Sequence, residues 1–205
     1  MTGGKEMSKG LEKVKDAAQL MLQGLSEEFG LDLNDPNFTE TPDRIMRAYA
    51  EIFSGIKDTE KQIEAIINKA FPSDYDGIVL AKDVRAYSMC PHHFLPVEYS
   101  IDVAYIPSKE GKVLGISKLA RIAVILAKRP VLQEKFTQDI VNVLMSIPGT
   151  QGAAAVVRGR HFCMIMRGAK QPESVTTTSS IAGKFMTEPE ARNELMQLLK
   201  LARNR

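Results

Sequence analysis

The sequence predicts an α+β protein: a helical N-terminal region, then a four-stranded antiparallel sheet in β-β-α-α-β-β order with both helices on one face, then a C-terminal helix. Three observations carry that expectation. Apolar residues recur every three to four positions as far as Phe71, the mark of amphipathic helices. From Ile78 the chain turns to stretches rich in β-branched residues. These come in pairs joined by short connections, which favours antiparallel pairing, and the two helices between the pairs share one face of the sheet. The expected division is residues 1–76 as a helical region and residues 77–205 as the sheet domain that carries the chemistry.

In chain order, Leu11, Val14, Ala18, Met21, Leu25 and Phe29 mark a first helix ended by Gly30. A polar loop, Asn34-Asp35-Pro36-Asn37, follows. Thr41 is the expected N-cap of a second helix, with Pro42 in its first turn and Ile45, Ala48 and Ile52 as its stripe. Arg44 and Arg47 near its start read, from spacing alone, as a solvated face. A third helix carries Ile63, Ile66, Ile67 and Phe71 before the turn-rich Pro72–Gly77. Strands are expected at Ile78–Met89 and Val97–Ile106, then a loop over Pro107–Gly111. Ser117 is the expected N-cap of the next helix, with Leu119, Ile122, Ala123 and Leu126 inward. Pro130 separates it from a helix striped by Leu132, Phe136, Ile140, Val143, Leu144 and Ile147. Ala153–Met166 and Val175–Phe185 complete the strands, and a capping box at Thr187–Glu190 opens the last helix. Four strands leave two open edges, so pairing with another copy is expected.

Composition excludes several classes. The 205 residues, 44% hydrophobic, suit one core with a helical appendage. Lys and Arg number 27 against 25 acidic residues, so there is no basic field for nucleic acid. No apolar run approaches the roughly eighteen residues of a membrane span. The opening Met1-Thr2-Gly3-Gly4-Lys5 has no apolar signal region, so a cytoplasmic, reducing setting is expected.

The chemistry concentrates in two segments. The chain has two cysteines and three histidines, and all five lie in Cys90-Pro91-His92-His93 and His161-Phe162-Cys163. These residue types bind zinc and move protons near neutral pH. Cys90 and His93, three apart in a turn stiffened by Pro91, can converge on one ion, and in a strand His161 and Cys163 would share a face. A disulfide, inert core cysteines and scattered structural histidines are the alternatives, and none explains the clustering. Whether the ligands close a structural tetrahedron or leave a position for water stays open on spacing alone.

Taken together, Thr41-Pro42-Asp43-Arg44, Cys90-Pro91-His92-His93, Gly115-Ile116-Ser117-Lys118-Leu119-Ala120-Arg121, Gln133-Glu134 and His161-Phe162-Cys163-Met164-Ile165-Met166-Arg167-Gly168 resemble the GTP cyclohydrolase I family. The resemblance covers most of residues 39–186. It implies the tunnelling fold, a homo-oligomer (commonly a toroidal decamer with interfacial active sites), and Zn2+ on Cys90, His93 and Cys163 with water in the fourth position. It implies conversion of GTP to 7,8-dihydroneopterin triphosphate with release of formate, the first step of tetrahydrofolate, pterin or 7-deazaguanine biosynthesis. His161 would protonate guanine N7 so that metal-activated water attacks C8. His92 would protonate the ribose ring oxygen, and Ser117 would assist the later rearrangement. Glu134, helped by Gln133, would hold the guanine edge. Lys118, Arg121 and Arg167 would hold the triphosphate, with Arg44 and Arg47 reaching in from a neighbouring subunit.

The sequence departs from the family at Arg47, for a more usual lysine, at Pro91, for glutamate, and at Asp102, often histidine; Arg129-Pro130 also breaks the usual pattern. These departures bear on rate and pH behaviour rather than on the reaction. Related tunnelling-fold enzymes with a three-histidine zinc site, or with a reactive cysteine and no zinc, fit the two-cysteine pattern poorly. A non-catalytic oligomer with a closed structural zinc is the remaining alternative.

Overall fold

The computed structural model describes residues 8–201. The chain forms two compact units, Met1–Ser54 and Gly55–Arg205. In the first, α1 (Lys9–Phe29) begins at Ser8, whose hydroxyl accepts from the Leu11 amide, and ends at Gly30 in the left-handed conformation. It packs on α2 (Thr41–Ile52), with Ala18, Leu22 and Met46 buried and Lys15 paired to Asp43 at 2.9 Å. Thr41 is not the N-cap: Glu40 is, and the Thr41 hydroxyl turns back to donate to the Asn37 carbonyl at 3.4 Å. Ala48 is exposed and Met46 takes the buried place, because the stripe facing α1 lies a fraction of a turn from the one spacing suggests.

The second unit opens with α3 (Thr59–Ile67). Phe71 leaves the helix to form β1 (Phe71–Pro72), which pairs with β4 (Lys112–Val113) in a small separate ladder. The main sheet is β2 (Val79–Met89), β3 (Pro96–Pro107), β5 (Thr150–His161) and β6 (Thr176–Gly183), antiparallel throughout in the order β2-β3-β5-β6. Helices α4 (Ile116–Ala127) and α5 (Gln133–Met145) lie on one face. This is the β-β-α-α-β-β arrangement that the sequence predicts.

Alternation along the strands sorts the two faces. Val97, Tyr99, Ile101, Val103 and Tyr105 of β3 point to the helices and pack with Leu119, Ile122, Leu126, Phe136, Ile140 and Leu144. The opposite face is apolar at one end only, where Ala104, Ile106 and Ala154 meet Phe185 and Leu195; Leu195 belongs to α8 (Pro189–Leu201), which follows a one-turn α7 (Lys184–Thr187). Thr187 does not cap α8, since its hydroxyl donates to the Gly183 carbonyl at 3.4 Å.

Toward the other end the same face is charged. Asp102 of β3 is 4% exposed, accepts from Arg158 at 2.8 and 3.1 Å, and accepts from the Asp83 amide at 3.0 Å. Asp83 sits at the β-bulge of β2 with a positive φ of 52°. The departure at residue 102 is therefore a packing matter on the face away from the helices. Burial works to raise the Asp102 pKa, but the Arg158 guanidinium and the Asp83 amide outweigh it and hold the carboxyl below its ordinary value. A depressed pKa adds stability above the unfolded value, near 4, and that stability is lost as pH falls through the folded value. Asp102→Asn is expected to cost about 2–3 kcal/mol at pH 7. Urea unfolding at pH 7 and pH 3 checks this, with the gap to wild type closing at the lower pH.

Candidate active site

The candidate centre forms where three strand ends meet. β2 finishes at Met89 opposite Pro96, and β5 finishes at His161 opposite Val97. Between Cys90 and Leu95 the chain makes a tight turn closed in both directions, with the Cys90 amide donating to Leu95 O and the Phe94 amide to Cys90 O, both at 2.9 Å. That turn lifts His92 and His93 into exposed positions while Cys90 stays buried.

His161 and Cys163 do not share a strand. The β5 ladder stops at His161 because β3 begins at Pro96 and offers no further pairing, and the chain coils into the one-turn α6 (Phe162–Ile165). The turn of helix still brings the Cys163 sulfur to 3.8 Å from that of Cys90. Cys90 Sγ lies 3.8 Å from His93 Nδ1, and the three donor atoms lie within 4.8 Å of one another. For a tetrahedral ion with metal–sulfur bonds near 2.3 Å, two sulfurs stand about 3.8 Å apart. Among the described residues this is the one Cys/His/carboxylate group so placed. The electrostatics agree: burial and the neighbouring Cys90 sulfur raise the Cys163 pKa. Two thiolates at that spacing need a cation, so the donor set fits a metal ion.

His161 lies beside the trio, half-buried. Its Nε2 is 2.8 Å from Gln133 Oε1, and its ring sits edge-on to Tyr99 with centroids 6.4 Å apart. Burial lowers the His161 pKa, and the Glu134 carboxylate one position beyond Gln133 opposes that shift. Tyr99 is stacked on Phe136 at 4.8 Å, and burial first and Cys90 next push its phenol pKa up. Glu134 stands exposed in the first turn of α5. Arg167, just past α6, has a guanidinium nitrogen 2.9 Å from His93 Nε2. Cys90, His92, His93, Gln133, Glu134, His161, Cys163 and Arg167 are thus gathered at one end of the sheet.

Ser117 and Lys118, at the start of α4, are not. The C-terminal end of α4 meets the end of β2, where the Ser88 hydroxyl donates to Arg129 O at 2.9 Å and Met89 bridges Pro130. Ten residues of helical rise, about 15 Å, separate Ala127 at the end of α4 from Ser117 near its start. At that far end the Leu114 amide donates to the Tyr105 hydroxyl at 2.9 Å, and Lys118 Nζ donates to Lys69 O at 2.9 Å while lying 5.1 Å from the Phe71 ring centre. Ser117 is also not an N-cap, since Gly115 holds that position. Arg44 and Arg47 are exposed on α2 in the first unit, Arg44 paired to Glu40 at 3.1 Å. Sequence reasoning missed Tyr99, Gly159 and Thr178 around His161; a glycine in β5 and the run Thr176-Thr177-Thr178 in β6 are the only trace they leave.

The family described as GTP cyclohydrolase I matches residues 17–200. The chain is 42% identical over 192 residues to a GTP cyclohydrolase 1 of Caldanaerobacter subterraneus subsp. tengcongensis, covering 94% of this chain and 98% of that one. It is 39% identical over 190 residues to a GTP cyclohydrolase 1 of Clostridium perfringens, covering 93% and 98%. A crystal structure of the archaeosine synthase QueF-Like in the apo form aligns with a TM-score of 0.41 at 18% identity, over 52% of this chain and 94% of that one.

Cys163→Ala removes one of the three donors. It is expected to lower bound metal, measured by elemental analysis of the purified protein, to a small fraction of one ion per chain. Undiminished metal in that variant would take Cys163 out of the ligand set.

Proposed function

The chain belongs to the GTP cyclohydrolase I family, and on that premise we propose that Cys90, His93 and Cys163 hold a zinc ion at the centre where GTP becomes 7,8-dihydroneopterin triphosphate and formate. The single observation that carries the reading is the Cys90 sulfur 3.8 Å from both the Cys163 sulfur and the His93 Nδ1, with all three donors within 4.8 Å of one another and His161 beside them. A zinc ion there supplies a bound water with a pKa near 7.

The rest is the work of the chain's own side chains. Glu134 accepts from guanine N1–H and the 2-amino group, a pattern adenine cannot present. In its charged form His161 gives a proton to N7, which makes C8 electrophilic enough for water to add and the imidazole ring to open. A second hydrolysis frees the carbon as formate. His92, exposed on the ligand turn, gives a proton to the ribose ring oxygen, and the opened sugar rearranges and closes onto the freed amine. Arg167 meets the phosphates, where a planar guanidinium makes paired contacts.

The nucleotide grip is shared between copies. Ser117 and Lys118 start α4 at the end of the sheet away from the ligand trio, Arg121 follows one turn further along the helix, and their roles in rearrangement and triphosphate binding call for another copy's centre. Arg44 and Arg47 add cations from a neighbour. A homo-oligomer, a toroidal decamer in its full form, meets this requirement in the cytoplasm, and β2 and β6 offer the free edges for it.

Incubation with GTP, following formate and the fluorescence of the oxidised pterin with and without chelator, tests the reading. Turnover that the chelator abolishes is expected; zinc-loaded protein that releases no formate would favour a structural metal site. His161→Ala is expected to keep its metal and lose about 10²–10⁴-fold in kcat. Lys118→Ala and His161→Ala, each nearly inactive alone, are expected to recover activity when refolded together, because mixed rings contain sites with both residues intact. No recovery on co-assembly would count against a shared site.

A further inference from the structure

We propose that Gln133 is the positioning residue for His161: its side-chain oxygen accepts the Nε2 proton, which fixes the ring plane and tautomer and leaves Nδ1 to exchange a proton with the purine. The catalytic half of this statement rests on the role of His161 proposed above. The hydrogen bond itself does not.

Gln133 is 3% exposed, and its amide has one possible orientation. Nε2 lies 3.0 Å from Val157 O, 2.9 Å from Thr176 O and 3.1 Å from Thr178 Oγ1. Two of these are carbonyl oxygens, which only accept, so a flipped amide would set oxygen against oxygen. Oε1 therefore faces His161 Nε2 at 2.8 Å, and an amide oxygen cannot donate. His161 carries a proton on Nε2 in its neutral and in its charged form.

The surrounding hydroxyls fix the same direction. Thr137 donates to Gln133 O at 2.7 Å, so the 2.6 Å contact between Thr137 and Thr178 uses the Thr178 proton. The Thr178 oxygen is then an acceptor for the Gln133 amide, and the protons of the network have a single arrangement. Both amide hydrogens of Gln133 are used inside the chain, so its influence on the nucleotide passes through His161.

A second observation is independent of hydrogen bonding. Gly159 lies two residues before His161 on the same face of β5, without a left-handed backbone that would call for glycine. A Cβ at Gly159 would stand 2.2 Å from Gln133 Oε1 and 3.0 Å from Tyr99 Cε1. Glycine there keeps open the space through which the amide oxygen reaches the histidine.

The test combines kinetics with nitrogen-15 NMR of the three histidines in the zinc-loaded protein. Gln133→Leu is expected to keep its metal, lower kcat about 10- to 100-fold, less than loss of the acid itself, and leave KM for GTP near wild type. Gly159→Ala, which removes no polar group, should reproduce that pattern and carries the test if Gln133→Leu does not fold. In a His161→Ala background Gln133→Leu should cost nothing more. The slowly exchanging Nε2 proton of His161 should be seen in wild type and lost in Gln133→Leu. A raised KM with kcat unchanged, or a cost that persists without His161, would assign Gln133 to the guanine and overturn the proposal. If His161→Ala turns over at the wild-type rate, the acid role falls. The NMR result then decides the hydrogen bond alone: an Nε2 proton indifferent to Gln133→Leu overturns it.

Discussion

The pairing of Val97 with His161, next to that of Met89 with Pro96, is the constraint on which the centre depends. It ends two strands side by side and so places the turn from Cys90 against the coil that carries Cys163. Because side chains alternate along a strand, a slip of one residue between β3 and β5 would send His161 to the opposite face, with Glu98 and Arg160, and away from Gln133. The apolar core prevents the slip. Ala153, Ala155 and Val157 of β5, each at most 1% exposed, would all leave the helices together with His161. The register that buries the core is the register that assembles the ligands.

The inner face of the sheet changes character along its length. In the middle it is apolar, but beneath the start of α5 it carries Thr176 and Thr178, and α5 answers with Gln133 and Thr137. Buried hydrogen-bonding groups cost free energy unless they are fully paired, and here they are paired to one another and to His161. The same logic governs the outer face, where Asp102 and Arg158 are buried only as partners. One network orients a histidine and the other holds a bulged edge strand.

Much of this was legible in the residues. The clustering of every cysteine and histidine in two segments marked the Cys90–His93–Cys163 group that could hold a metal ion, and apolar periodicity with the strand pairs marked the element order. Local rules failed where tertiary structure decides the local conformation. Thr41 and Ser117 are good capping residues, yet Glu40 and Gly115 occupy the caps because loop geometry sets where each helix begins. The expected strand through Cys163 stops at His161 for want of a partner, something no single-segment pattern encodes. Leu132 fits the helical stripe of α5 but lies 48% exposed just before its first turn. Gln133 gave no local sign of its partners, which come from strands 24 to 45 residues further along the chain.

The distribution of functional groups within one chain bears on the assembly. The ligand trio, His161, Glu134 and Arg167 occupy one end of the sheet, while Ser117 and Lys118 occupy the other. A site shared between those ends joins unlike surfaces of two copies, which is a heterologous contact. The free edges have the same property, since β2 and β6 are different strands on opposite sides of one sheet. Pairing β2 of one copy with β6 of the next would also be heterologous, and repeated contacts of this kind close into a ring or run on as a filament. A ring satisfies both demands: every sheet edge finds a partner, and every ligand trio receives the cations of a neighbour. The proposed division of the nucleotide between two chains and the proposed ring therefore have a common origin, in a sheet that carries its chemistry at both ends and leaves both sides open.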